Sequence, residues 1–140
     1  MVRAVDENVV TPHEVRGESE VLPYAQEATA ALQSCAEACL KAYAHLAERS
    51  VEQAKFASCM QCSEICMLTM SLLSQASPLS IGGCDFCIQA CAWCAEQCSA
   101  LPDEECQACA TACKDCVDAL RQTRPLTATS ALDSRDAFGG

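Results

Sequence analysis

The sequence is short of aromatic rings. It has six in 140 residues: Tyr24, Tyr43, Phe56, Phe86, Trp93 and Phe138. Just over half the chain is apolar all the same. Ala and Cys carry that total, which predicts a thin interior built from small side chains. Basic residues are also few, with nine Lys and Arg against nineteen Asp and Glu and a formal net charge of −10. Nucleic-acid phosphates and anionic membrane surfaces both require a basic face, so this balance argues against both as partners. No run of 18 apolar residues occurs, so no segment is expected to span a membrane. The opening MVRAVDENVVTPHEVRGESE lacks an apolar h-region, a twin arginine and a small-residue cleavage site. The expectation is a cytoplasmic chain, in a compartment that keeps thiols reduced. There is no strand alternation to defend, no phosphate-cradling loop and no plausible nucleophile–base pair, so no enzyme is expected.

The length suits one domain. Residues 1–20 are polar and charged and read as a flexible arm; residues 125–140 open with Pro125 and read as a disordered tail. Between them, residues 21–124 carry four helical segments. The first runs from about Leu22 to Glu48, with Pro23 at a first helical position. The second runs from about Val51 to Gln75, with Ser50 and Gln53 in the pattern of a capping box. SPLSIGG, residues 77–83, breaks the chain, and the third runs from about Cys84 to Ala100. The fourth starts near Pro102 with Asp103, Glu104 and Glu105 at its positive end, and stops near Thr123 ahead of Pro125. Links this short make neighbours antiparallel, so the fold class is all-α: an up-down-up-down four-helix bundle.

Fourteen cysteines are abundant by any measure. Their spacings alternate between three and four, which keeps them on one face of a helix. The first helix offers Cys35 and Cys39; the second Cys59, Cys62 and Cys66. The third offers Cys84, Cys87, Cys91, Cys94 and Cys98; the fourth Cys106, Cys109, Cys113 and Cys116. All fourteen fall on the seam that a bundle normally fills with Leu and Ile. Ala28, Leu32, Ala42, Leu46, Leu73, Ala76, Leu101 and Leu120 continue the seams outward. The expected core is therefore cysteine-lined in the middle and apolar at its edges. Cys84 to Cys98 alone span about 21 Å of helix axis, a column of sulfur and not a point site. Cys buries less apolar area than Leu, so a core this depleted needs something else to hold it.

Many soft thiolates with few histidines and no ordered carboxylate set select a soft ion: Cu(I), Zn(II) or an iron–sulfur cluster. Zinc favours closed groups of four ligands, into which a continuous column does not divide. The x2/x3 alternation is helix geometry and differs from ferredoxin spacings, which makes an Fe–S electron carrier the lesser alternative. A disulfide-linked helical redox scaffold is the other, although seven simultaneous bridges along a regular seam exceed the Cα separations that bridging permits. Cu(I) takes two or three thiolates and shares them. Same-helix pairs that can pinch an ion are Cys35/Cys39, Cys62/Cys66, Cys87/Cys91, Cys94/Cys98 and Cys109/Cys113. One Cu(I) per thiolate also cancels the buried charge.

CAEAC, CMQCSEIC, CDFCIQACAWCAEQC and CQACATACKDC resemble the cysteine-lined helices of the bacterial copper storage proteins, over about residues 22–123. The resemblance implies a four-helix bundle that stores multiple Cu(I) ions, a cytosolic member of the family, a homotetramer, and a possible copper chaperone or acceptor as partner. It also implies His or Met ligands beside one open bundle end, for which the candidates are His45 and Met70. Met60 and Met67 fall off the seam, and His13 lies in the arm.

Overall fold

In a computed structural model of the chain the backbone is described for residues 12–137, and side chains for residues 26–54 and 56–123. Helix α1 spans Pro12–Glu48, α2 Ala57–Ser74, α3 Ser80–Ser99 and α4 Glu104–Ala137, with a 3-10 turn at Gln53–Lys55. No strand occurs among the described residues. Each helix packs on two neighbours: α1 and α3 each lie between α2 and α4. The sulfur contacts give the directions. As numbering rises from Cys35 to Cys39 on α1, the partner on α4 falls from Cys113 to Cys109. On α2 and α3 the pairs are Cys59–Cys98, Cys62–Cys91 and Cys66–Cys87, again opposed. Across the diagonal, Cys35 meets Cys91 and Cys39 meets Cys94, so α1 and α3 run parallel. This is the expected up-down-up-down bundle.

The helix ends differ from the expected ones, and local chemistry explains each difference. Ser50 does not cap α2. It has φ 61°, and it ends α1: Ser50 N–H reaches Ala47 O and Val51 N–H reaches Leu46 O. That is a Schellman closure, which satisfies the last carbonyls of α1 at the cost of a left-handed serine. The 3-10 turn then leads to Phe56, which precedes α2 without a side-chain cap. α2 closes in the same way at Ala76, with φ 51° and Ser77 N–H on Leu72 O. Ala76 is therefore exposed and not a seam residue. Gly82 and Gly83, expected in a loop, lie in the first turn of α3. A Cβ on Gly83 would stand 2.7 Å from Leu72 Cδ1, so glycine here lets α2 and α3 converge at their hairpin. Asp103 lies just before α4, which carries Glu104 and Glu105 in its first turn.

α1 begins ahead of the expected start and α4 continues past Pro125 to Ala137. A proline forfeits one backbone hydrogen bond and strains one turn, without forbidding helix on either side. The expected arm and tail are therefore helical over 12–20 and 125–137; their remaining residues, 1–11 and 138–140, lie outside the described residues.

The core contains few large side chains. Leu46 and Phe56 close one end, with Phe56 edge-on to Tyr43 at 5.2 Å between ring centres. Leu32 and Leu120 close the other, and Leu73 and Met70 are partly buried against the core. Between these ends the interior is almost entirely cysteine and alanine. Phe86 and Trp93 lie on the outer surface of α3 and do not contribute to the core.

Candidate metal centre

Every one of the fourteen cysteines is buried, at most 1% exposed, and free. The periodicity places them. Spacings of three and four wrap each set around its helix by nearly whole turns, and four such stripes converge on one axis. The resulting sulfur column is continuous. Cys59 stands 3.4 Å from Cys98, and Cys98 stands 3.9 Å from Cys94. Cys94 is 3.8 Å from Cys109, which is 3.5 Å from Cys39. Cys39 leads to Cys113 at 3.9 Å, and Cys113 to Cys35 at 3.6 Å. Cys35 reaches Cys91 at 3.8 Å, and Cys91 reaches Cys87 at 3.9 Å and Cys66 at 4.0 Å.

Four sets of four thiols have all their sulfurs within 4.8 Å of one another: Cys35/Cys39/Cys62/Cys113, Cys35/Cys66/Cys91/Cys116, Cys39/Cys94/Cys109/Cys113 and Cys59/Cys94/Cys98/Cys109. The sets overlap, so the column does not divide into separate cages. Of the expected same-helix pairs, Cys35/Cys39 stand 4.0 Å apart and Cys87/Cys91 and Cys94/Cys98 each 3.9 Å. Cys109 and Cys113 share a set, and Cys62 and Cys66 both face Cys91, at 3.6 and 4.0 Å. Cys87, which faces Cys66 and Cys91, lies outside these sets, as do Cys84 and Cys106, buried one towards each end.

Those two end thiols are pushed up to about 11, by burial first and then by nearby negative charge: Cys87 and Asp85 for Cys84, Asp103 foremost for Cys106. Inside the column hydrogen bonding dominates. Cys62 is drawn down to about 7, chiefly through Cys113, while Cys113 is pushed well above its ordinary value, chiefly through Cys109. A lowered thiol and a raised neighbour are two ends of one shared proton, so the column titrates as a unit. No lysine or arginine is buried among the described residues, so a standing thiolate would have no cationic partner.

The two non-thiol candidates lie at opposite ends. His45 is partly exposed where α1 meets the start of α4. Its Nε2 stands 2.7 Å from Asp103 Oδ2 and 3.5 Å from Glu105 Oε1. Arg49 pairs with the same Asp103 oxygen. Arg49, and then His45, hold the Asp103 carboxyl below its usual range. Asp103 Oδ1 is buried without a hydrogen-bond partner. Asp103 was read in the sequence only as a helix-dipole residue. The signal for its second role was present: His45 and Arg49 are one turn apart at the end of α1, and antiparallel topology brings that end to the α3–α4 link. Met70 is half-buried beside the opposite apolar rim. Met60 is half-buried and Met67 exposed; neither belongs to the core. Thr69 was also missed. It is 1% exposed beside Cys87 and donates its hydroxyl to Ile65 O at 2.8 Å, so its polar atom is satisfied within its own helix. His13 lies in α1 outside the residues whose side chains are described.

Comparison with known proteins agrees with this geometry. A family model described as copper storage protein matches residues 18–125. The uncharacterized cysteine-rich protein YhjQ of Bacillus subtilis (strain 168) is 29% identical over 102 residues, which is 70% of this chain and 94% of that protein. Among solved structures, Cu(I)-bound copper storage protein BsCsp3 matches with a TM-score of 0.69 at 27% identity, covering 72% of this chain and 98% of the other.

Proposed function

The chain belongs to the copper storage protein family, and from that premise we propose that its fourteen core cysteines are the ligands of its copper. The protein stores multiple Cu(I) ions inside the bundle. The observation that carries this reading is the unbroken column of free, buried thiols, with sulfurs shared between neighbouring groups. Cu(I) suits such sharing, because it accepts few ligands and soft ones. Copper is cargo here, and each ion neutralises one thiolate, so filling the core removes the charge penalty that deprotonation creates.

The rival readings fit less well. A disulfide needs sulfurs near 2.05 Å, whereas the nearest pair stands at 3.4 Å and all fourteen are free. An iron–sulfur carrier needs its cysteines spread around a cluster of several iron and sulfide atoms, whereas each of these sets is drawn together to within 4.8 Å. The chain is a store that holds and releases an ion without turning over a substrate. Free thiols throughout are in keeping with a reducing, cytoplasmic setting. A homotetramer is the assembly, and a copper chaperone or acceptor the partner, that family membership favours. His45 and Met70 are the non-thiol ligands through which an end would admit copper. His45 is better placed, since it is partly exposed on the side of the bundle that holds Cys106.

Anaerobic titration of the reduced protein with Cu(I), against a competing chelator and read by metal analysis, tests the reading. About ten or more ions per chain are expected, because sharing lets nearly every thiolate bind. A capacity of one or two ions would refute storage. Thiol counting on freshly purified, unreduced protein should find nearly all cysteines free.

A further inference from the structure

The two ends of the sulfur column are closed by different means. At one end Leu32 and Leu120 lie in the interior of α1 and α4, which run on past them. At the Cys106 end the closing residues ride on chain connections. Residues 49–56 join α1 to α2, and residues 100–103 join α3 to α4. The first connection carries Val51 and Phe56 against the core, and the second carries Leu101. An end closed by connections can open without unwinding a helix. The two connections meet at one side chain. Asp103, the last residue of one, accepts a hydrogen bond at Oδ2 from Arg49, the first residue of the other. The same oxygen stands 2.7 Å from His45 Nε2 at the end of α1.

Opposing forces act on this contact. The Asp103 side chain is only 8% exposed, and its Oδ1 is buried without a hydrogen-bond partner. A desolvated carboxylate oxygen with no donor is costly, and water reaching it on opening relieves that cost. What holds the carboxylate in place is Oδ2, through one exposed arginine and one partly exposed histidine. Ties of that kind are weak in water. Cys106 lies beside them. After burial, Asp103 is the largest influence on its thiol, and Arg49 acts on it in the opposite sense.

We propose that Asp103 is a latch: with Arg49 and His45 it ties the two connections together over the Cys106 end, and its release sets how fast that end opens. Asp103 is a positioning residue here and not a metal ligand. The latch governs the rate at which copper enters and leaves, and not the amount held; this consequence rests on the storage reading.

Brief anaerobic alkylation of the reduced, metal-free full chain with iodoacetamide, mapped by mass spectrometry, tests the latch without copper. Cys84 is the internal reference. It is buried towards the opposite end, and its thiol, like that of Cys106, is pushed up to about 11. In Arg49→Gln, Cys106 should be labelled about tenfold faster with Cys84 unchanged, the order expected for losing one hydrogen bond to a charged group. The direction is diagnostic. Losing the positive charge of Arg49 without unlatching makes Cys106 less reactive and slows its labelling. Asp103→Asn cuts the same contact from the other side, so the double variant should be no faster than the faster single one. Copper-loaded samples challenged with excess chelator should release Cu(I) about tenfold faster in both single variants, with the amount bound unchanged. Unchanged or slower labelling of Cys106 in Arg49→Gln, equal acceleration of Cys84, or copper release at the wild-type rate would overturn the latch. Should Arg49→Gln fail to fold, as judged by helical circular dichroism, Asp103→Asn is judged by chelator release, which starts from copper-bound sulfur. A wild-type capacity of one or two ions would instead sink the storage reading and leave the alkylation result to decide the latch.

Discussion

Loading the empty core with Cu(I) is expected to expel about one proton per ion, so that apparent affinity rises about tenfold per pH unit below the thiol range. The perturbation is pH alone. The fourteen sulfurs are at most 1% exposed and no lysine or arginine is buried among the described residues, so the metal-free core keeps its protons apart from thiols such as Cys62 that hydrogen bonding draws down, there to about 7. Cys84 and Cys106 stay protonated to about 11, and burial is the largest cause in both. Cu(I) must therefore displace protons to bind. Between about pH 6 and about pH 8 this linkage amounts to roughly 1.4 kcal/mol per ion for each pH unit. Two measurements check it: proton release in weakly buffered solution with an indicator dye, and chelator competition at several pH values. A flat affinity with no proton release would mean that the core holds standing thiolates or that copper sits on other donors. Either outcome would refute the neutral-core argument.

Three expectations concern stability. Ser50→Gly and Ala76→Gly each replace a left-handed residue at a helix end, and each should stabilise the protein by about 0.5–1 kcal/mol in chemical denaturation. Gly82→Ala, with open space around its Cβ, should raise stability by about 0.5–1 kcal/mol. Gly83→Ala should lag behind it by about 1 kcal/mol or more because of the 2.7 Å approach to Leu72. The metal-free protein should lose stability as pH rises from about 9 towards about 11. Cys84 and Cys106 have folded values above their ordinary 9.0, so their contribution is full below that value and disappears as the folded thiols titrate. Thermal melts across that range check this, and a rising melting temperature would contradict it.

The sequence by itself determined the helices, their antiparallel order and the inward direction of every cysteine. Each of these follows from a period of 3.6 and from short links, and neither depends on distant parts of the chain. The same argument placed Leu32, Leu46 and Leu120 at the ends of the core. It failed at Ser50, Ala76, Gly82 and Gly83, where residue preference points to one local structure and packing imposes another. A left-handed serine or alanine is tolerated because it satisfies the last carbonyls of its helix, and glycine at position 83 of α3 leaves the space that Leu72 fills. Only the tertiary structure decided which sulfurs share a group. Cys39 meets Cys109 and Cys94 through helix register and crossing, which periodicity alone does not set. For the same reason it alone brought Asp103 to His45 and Arg49. Residues 54 and 58 positions apart in the chain meet only when the ends of two helices are brought side by side.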